Sequence, residues 1–122
     1  MCSLIPRKIW KDGKIQRNLQ DYAGWAAAVA KSEGVPFVDL YELIARRCEA
    51  LGQEKAAALY VPSPRENLHT GWDGAVVNAE CVIAGLKGLK ENPLAPFLSA
   101  RGKAVAAVVL ATPAPAPALP PR

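Results

Sequence analysis

Apolar positions along this chain recur at two intervals. Leu19, Tyr22, Ala26, Val29 and Ala30 fall three and four apart, the spacing that puts side chains on one helical face. Alanine, the strongest helix former, is abundant there. Gly34 followed by Pro36 has the chemistry of a helix stop, so the pattern predicts a helix over about 19–33. Leu40, Leu43, Ile44, Cys48 and Leu51 form a second face, closed by Gly52. Asp39 and Glu42 stand at capping-box spacing at its start. A third face, Val76, Ala79, Ile83, Leu86 and Lys90, predicts a helix over about 73–90, ended by Asn92-Pro93. A short helix at about 54–60 and a packed cap at 93–98 complete the helical reading.

Two segments read as strands. Cys2–Trp10 is a short apolar stretch broken by Pro6, and Val35–Asp39 is a β-branched and aromatic run entered from a helix. Lys11-Asp12-Gly13-Lys14 has turn chemistry. Residues 61–72 lack periodicity and hold Pro62 and Pro64, a long connection of the kind that often carries function. From Ser99 the composition shifts, and Pro113-Ala114-Pro115-Ala116-Pro117 can form neither a helix nor a central strand. The reading divides the chain into a domain at 1–98 and an extended, solvated, disordered Ala/Pro-rich tail at 99–122. Strand, helix, strand, helix, loop, helix is an α/β order with parallel strands. Two parallel strands are too few to stand alone, so the pattern resembles the C-terminal part of a larger α/β domain. Such a part leaves a sheet edge uncovered, which favours self-association.

Composition narrows the picture. The 122 residues allow one domain, and 51% apolar with 21% charged residues is a globular mixture. The longest apolar run, Ala104–Ala111, has eight residues. A membrane span needs about 20, so no membrane partner is expected. Pro6-Arg7 interrupts the start too early for a secretory signal. The +4 net charge is local: Arg7, Lys8, Lys11, Lys14 and Arg17, with Asp12 the one acid among them, account for it. A basic arm without a basic face reads as a solvated loop, not a nucleic-acid surface. Cys48 and Cys81 occupy apolar helical positions, where cysteine acts as a small hydrophobe. With one histidine and unclustered cysteines, neither a zinc site nor a disulfide scaffold is indicated.

That histidine, His69, lies in the long loop three residues after Glu66 and just before the third helix. Imidazole is the side chain best suited to act as a base near neutral pH. A carboxylate on one ring nitrogen fixes the tautomer and stabilises the imidazolium. Glu-x-x-His alone is common and reads by default as an ordinary loop histidine. Arg65 reads as solvated or paired with Glu66, and as a contact for an acidic sugar. Trp25 reads as core, Tyr22 and Tyr41 as packing residues with satisfied hydroxyls, Arg46-Arg47 as a solvated helix side, and Trp72 as either surface or cleft wall.

The block Glu66-Asn67-Leu68-His69-Thr70-Gly71-Trp72-Asp73-Gly74-Ala75, with the helix after it, resembles the last block of the SGNH (GDSL-type) hydrolases. Asp21-Tyr22-Ala23, Glu33–Leu40, Ala50-Leu51-Gly52 and the Leu4–Ile15 segment resemble the parts preceding that block in rhamnogalacturonan acetylesterase-like carbohydrate esterases. The resemblance spans about residues 3–98. It implies part of a three-layer α/β/α sandwich with parallel strands. It implies serine ester hydrolysis without metal or cofactor, on acetylated plant cell-wall polysaccharide or a small ester. His69 would be the general base and Glu66 would stand where the family has Asp. Family members are often secreted.

Two departures shape the expectation. Glu replaces Asp, which adds a methylene; Glu does serve in other triads. Gly-Asp-Ser and Gly-x-Asn-Asp, the family's nucleophile and oxyanion blocks, do not occur. The serines are Ser3, Ser32, Ser63 and Ser99, and no motif marks any of them as a nucleophile; Asn67 sits inside the Glu-His block and is not assigned to the oxyanion. The chain alone is therefore expected to be weakly active or inactive. The competing expectations are a non-catalytic interaction module using the basic arm and Pro-Ala tail, and a non-functional truncated product.

Overall fold

A computed structural model describes residues 1–63 and 65–118. Pro64 of the long loop and residues 119–122 of the tail lie outside the described residues. Among the described residues the domain is small and α-rich, with five helices and a two-stranded sheet.

Helix α1 spans Gln20–Ser32. Its end follows the glycine chemistry expected there. Gly34 adopts φ +63°, its N–H reaches the Lys31 carbonyl, and the Val35 N–H reaches Ala30, a pairing that satisfies two otherwise orphaned carbonyls. Helix α2 spans Leu40–Leu51, and the Asp39 side chain accepts from the Glu42 N–H at 3.2 Å. Gly52, at φ +83°, ends α2 and opens α3, Gln53–Ala57. Helix α4 spans Trp72–Lys87. A single 3-10 turn covers Ala95–Phe97, and α5 covers Ala100–Ala104 with the Ser99 hydroxyl capping Gly102 N–H.

The strands differ from the sequence reading. The sheet is an antiparallel hairpin of β1, Trp10–Lys11, and β2, Lys14–Ile15. Asp12 and Gly13 both take positive φ, 50° and 74°, which lets a two-residue turn match the twist of its strands. The two segments expected as parallel strands do meet in parallel, as one bridge between Cys2 and Val38. Three hydrogen bonds hold it: Met1 amine to Pro36 carbonyl, Val38 N–H to Met1 carbonyl, and Ser3 N–H to Val38 carbonyl. Pro36 and Pro6 bracket this contact, and neither has an N–H to extend a ladder.

The core lies between α2, α4 and β2. Ile15, Val38, Leu40, Leu43, Ile44, Cys48 and Cys81 are buried together, with Val77, Val82 and Leu86 packed against them. Burial pushes both core thiols up, Cys81 to about 11, so they behave as small hydrophobes. Tyr41 is buried with its hydroxyl satisfied, accepting from Leu19 N–H at 3.0 Å and donating to the Gln16 carbonyl at 3.3 Å. Tyr22 is instead exposed. A Cβ on Gly85 would lie 2.3 Å from Val38 Cγ1 and 3.0 Å from Leu43 Cδ1. The bare glycine is what lets α4 approach the Val38 segment and α2.

The basic N-terminal stretch is more structured than a solvated loop. Arg17 donates through Nε to Glu42 at 2.9 Å and through Nη1 to both Glu49 and the Ile15 carbonyl. Lys14 lies 3.6 Å from Glu49, and Arg46 donates to Glu42 at 2.7 Å. Burial would raise the Glu42 and Glu49 carboxyls, but the hydrogen bonds and positive charge of Arg17, joined by Arg46 at Glu42 and by the Ile15 N–H and Lys14 at Glu49, together outweigh it and hold both below the usual range.

The segment from Ser99 carries α5 and then continues without helix or strand to residue 118, with contacts a solvated tail would lack. Lys87 Nζ donates to the carbonyls of Lys103 and Val105. The Val108 N–H donates to Ala84 at 3.0 Å, and Leu110 packs against the core.

The sign of one substitution tests the α4 packing. Helix propensity favours Ala over Gly by about 1 kcal/mol, whereas overpacking a core costs roughly 1–3 kcal/mol. Gly85→Ala is predicted to lower the urea midpoint; a raised midpoint would show that Val38 yields freely.

Candidate active site

The long loop is pinned at its base. Tyr60 and Thr70 form an antiparallel bridge. Val61 N–H reaches the His69 carbonyl at 3.1 Å, and Gly71 N–H reaches Leu59 at 2.9 Å. A Cβ on Gly74 would lie 2.1 Å from the Leu59 carbonyl oxygen, so the first turn of α4 can sit against this base only because Gly74 lacks one. The loop also touches the N-terminal segment, where Lys8 N–H donates to the Asn67 carbonyl at 2.6 Å and the Lys8 ammonium lies 4.9 Å from the Tyr60 ring centre.

Glu66 organises the inside of this loop. Its Oε1 accepts from the Leu68 and His69 backbone N–H groups, each at 2.8 Å. Its Oε2 meets His69 Nδ1 at 2.8 Å. The His69 backbone bond, the His69 side chain and the Leu68 backbone bond, in that order, bring the carboxyl down to about 2. Acceptors on the ionised form favour that form. Glu66 and His69, paired on sequence spacing, are thus brought together.

This geometry assigns the imidazole's two nitrogens. A carboxylate can only accept, so Nδ1 must carry the proton when the ring is neutral. Nε2 then holds the lone pair. The His69 side chain is 75% exposed and that of Glu66 21%, so the free nitrogen is open to an incoming group while its partner is sheltered. The arrangement can accept a proton at Nε2 and stabilise the resulting imidazolium beside a carboxylate.

The remaining sequence-named residues fall elsewhere. Ser3 is buried, donates to Asp39 at 3.0 Å and accepts from the Tyr41 N–H. Ser32 donates to the Val29 carbonyl, and Ser99 caps α5. Among the described residues, the His69 ring has one polar partner, Glu66, and no ion pair joins Arg65 to Glu66. Trp72, the first residue of α4, is 83% exposed. Two concavities of about 360 and 370 Å³ border the tail at Val108, and neither is lined by Glu66 or His69. No group of three or more His, Cys, Asp and Glu among the described residues could hold a metal ion, and no helix there is long and apolar enough to cross a membrane.

Comparison of the chain with family models, curated proteins and solved structures found no match. The site therefore stands on its own geometry. What the sequence pattern missed is the loop's external support, the Lys8–Asn67 bond and the Tyr60–Thr70 bridge. Both join residues too far apart for a local spacing rule to see.

The carboxylate's pH response is a direct check. A folded-state pKa below the unfolded one means ionised Glu66 favours the native loop. That contribution is complete above the ordinary value of 4.5 and disappears as pH falls through about 2. The Leu68 and His69 amide resonances are predicted to titrate together near pH 2. A shared midpoint at the ordinary carboxylate value would contradict the three-bond geometry.

Proposed function

We propose that His69 and Glu66 are the general base and orienting acid of an SGNH-type serine esterase. In this reading the chain forms the C-terminal part of an α/β/α sandwich, and its substrate class is acetylated plant cell-wall polysaccharide. The observation that carries the proposal is the 2.8 Å Glu66–His69 bond, which leaves Nε2 open on a braced loop just before a helix. The parallel Cys2–Val38 bridge supports the sandwich part of the reading. The resemblance of residues 3–98 to the acetylesterases supports the substrate class.

The chemistry follows from the open nitrogen. A serine hydroxyl placed at Nε2 attacks the acetyl carbonyl carbon and gives its proton to the imidazole. The tetrahedral intermediate collapses to an acyl-serine, and the imidazolium returns that proton to the departing sugar oxygen. Water then attacks the acyl group by the same proton route, releasing acetate and restoring the serine. Glu66 holds the ring and offsets its transient charge throughout. Donors for the oxyanion would have to come with the serine, because Gly-Asp-Ser and Gly-x-Asn-Asp are not in this sequence.

Two arms test this. The chain alone is predicted to resist phosphonylation by a fluorophosphonate probe and to release p-nitrophenol from p-nitrophenyl acetate no faster than equimolar imidazole. Residues 3–98 grafted behind the Gly-Asp-Ser and Gly-x-Asn-Asp portion of an SGNH acetylesterase are predicted to restore turnover. That turnover should fall by about 10⁴-fold or more on His69→Ala. A folded graft with no turnover, or with turnover indifferent to His69→Ala, would reject the proposal. So would His69-dependent labelling of a serine in the isolated chain.

A further inference from the structure

Helix α1 carries an aromatic pair beside a residue with no side chain. The Tyr22 and Trp25 rings meet edge to face, 5.1 Å between centres at 69°, and Tyr22 is 57% exposed. Gly24 lies between them in sequence and is buried. What buries it is the far end of the same chain. A Cβ on Gly24 would lie 2.8 Å from the Ala116 Cβ, 2.9 Å from its backbone nitrogen and 3.0 Å from the Ala114 carbonyl oxygen. One residue further on, the Trp25 indole N–H donates to the Pro117 carbonyl at 2.9 Å across 92 positions of sequence.

The arriving segment has a particular chemistry. Pro113, Pro115 and Pro117 alternate with alanine. Each proline fixes its own φ, and each alanine before a proline is pushed out of the helical region. The run is therefore extended before it binds anything, and docking it loses little conformational entropy. It has no proline N–H groups, and its carbonyls are not used by helix or sheet, so they remain as acceptors. An aromatic surface supplying an indole N–H to a carbonyl of an extended Pro-rich run is the chemistry by which such runs are recognised. Upstream, the Val108–Ala84 bond and the Leu110 contact lead the chain from α4 toward α1.

We propose that the Gly24–Trp25 surface of α1 is a binding site for extended Pro-Ala peptide, and that its occupant is this chain's own residues 113–117, bound in cis. The tail is a docked ligand of the domain. Gly24 admits its backbone, Trp25 fixes its register through one hydrogen bond, and Tyr22 packs edge to face on the Trp25 ring.

The full-length chain tests this by nuclear magnetic resonance. In the native protein, Ala114 and Ala116 are predicted to show backbone order parameters near 0.85, and in Trp25→Phe values below about 0.6, with α1 amides still protected. The variant Pro113→Ser, Pro115→Ser, Pro117→Ser leaves α1 untouched and should free the tail in the same way. Added to that variant, the peptide Ala-Thr-Pro-Ala-Pro-Ala-Pro-Ala should shift the Trp25 indole resonance saturably, and its serine-substituted counterpart should not. A native tail that is already mobile, order unchanged by Trp25→Phe, equal binding of both peptides, or tail order that rises with protein concentration (a neighbour's tail in the site) would each overturn the proposal.

Discussion

One carboxylate accepts three hydrogen bonds inside the long loop, and the candidate site exists because of it. Glu66 ties down the Leu68 and His69 backbone with one oxygen and the His69 ring with the other. Were the side chain neutral, these charge-assisted bonds would weaken toward ordinary ones. Were it absent, two N–H groups and a ring nitrogen would turn to water. The same atom set thus shapes the backbone, orients the base and selects its tautomer, so loop conformation and chemical competence are coupled.

The loop can rely on Glu66 because its ends are anchored by packing. Gly85 brings α4 against Val38 and Leu43, and Gly74 brings the start of α4 against the Leu59 carbonyl. Helix α4 is therefore held at both ends, and the residues just before it inherit a defined position. On the other side of the core, Arg17 joins the hairpin to α2 through Glu42 and Glu49. These contacts replace the wide sheet that an α/β order would suggest. Among the described residues the core is built from helices and one hairpin, with a single parallel bridge where the two expected strands meet.

Much of the helical structure was legible because its signals are local. The three periodic stretches located α1, α2 and α4, and Gly34, Gly52 and the Asp39 cap act where their chemistry says they should. The face itself was read correctly in α2, but α1 buries Ala23, Gly24, Ala27 and Ala30 and leaves Tyr22 and Val29 exposed, and α4 buries Gly74, Cys81, Ala84 and Gly85 and leaves Ala79 exposed, because small residues let these helices pack closely. The Glu66–His69 pair was legible for the same reason, as its members are three residues apart. The Asp12-Gly13 turn was recognised, but its two-residue strands are too short to leave an alternating pattern. The extent of the parallel pairing was overstated, because apolar runs reveal burial and not the number of neighbours a strand will find. Arg17 read as one more solvated cation, since its partners lie 25 and 32 positions away. The tail's Pro-Ala composition was plain, while its contacts with Gly24 and Trp25 of α1 join positions too far apart for any rule of spacing to see.

The central claim is that Glu66 sets the proton on His69 Nδ1 and leaves Nε2 as the reactive atom. Nitrogen-15 spectra of the ring at neutral pH, on the native chain and on Glu66→Ala, examine this most directly. The account predicts a native neutral ring protonated at Nδ1, and a shift in Glu66→Ala toward the Nε2-protonated form that free imidazole side chains prefer. A native ring already protonated at Nε2, or a tautomer indifferent to loss of the carboxylate, would contradict it.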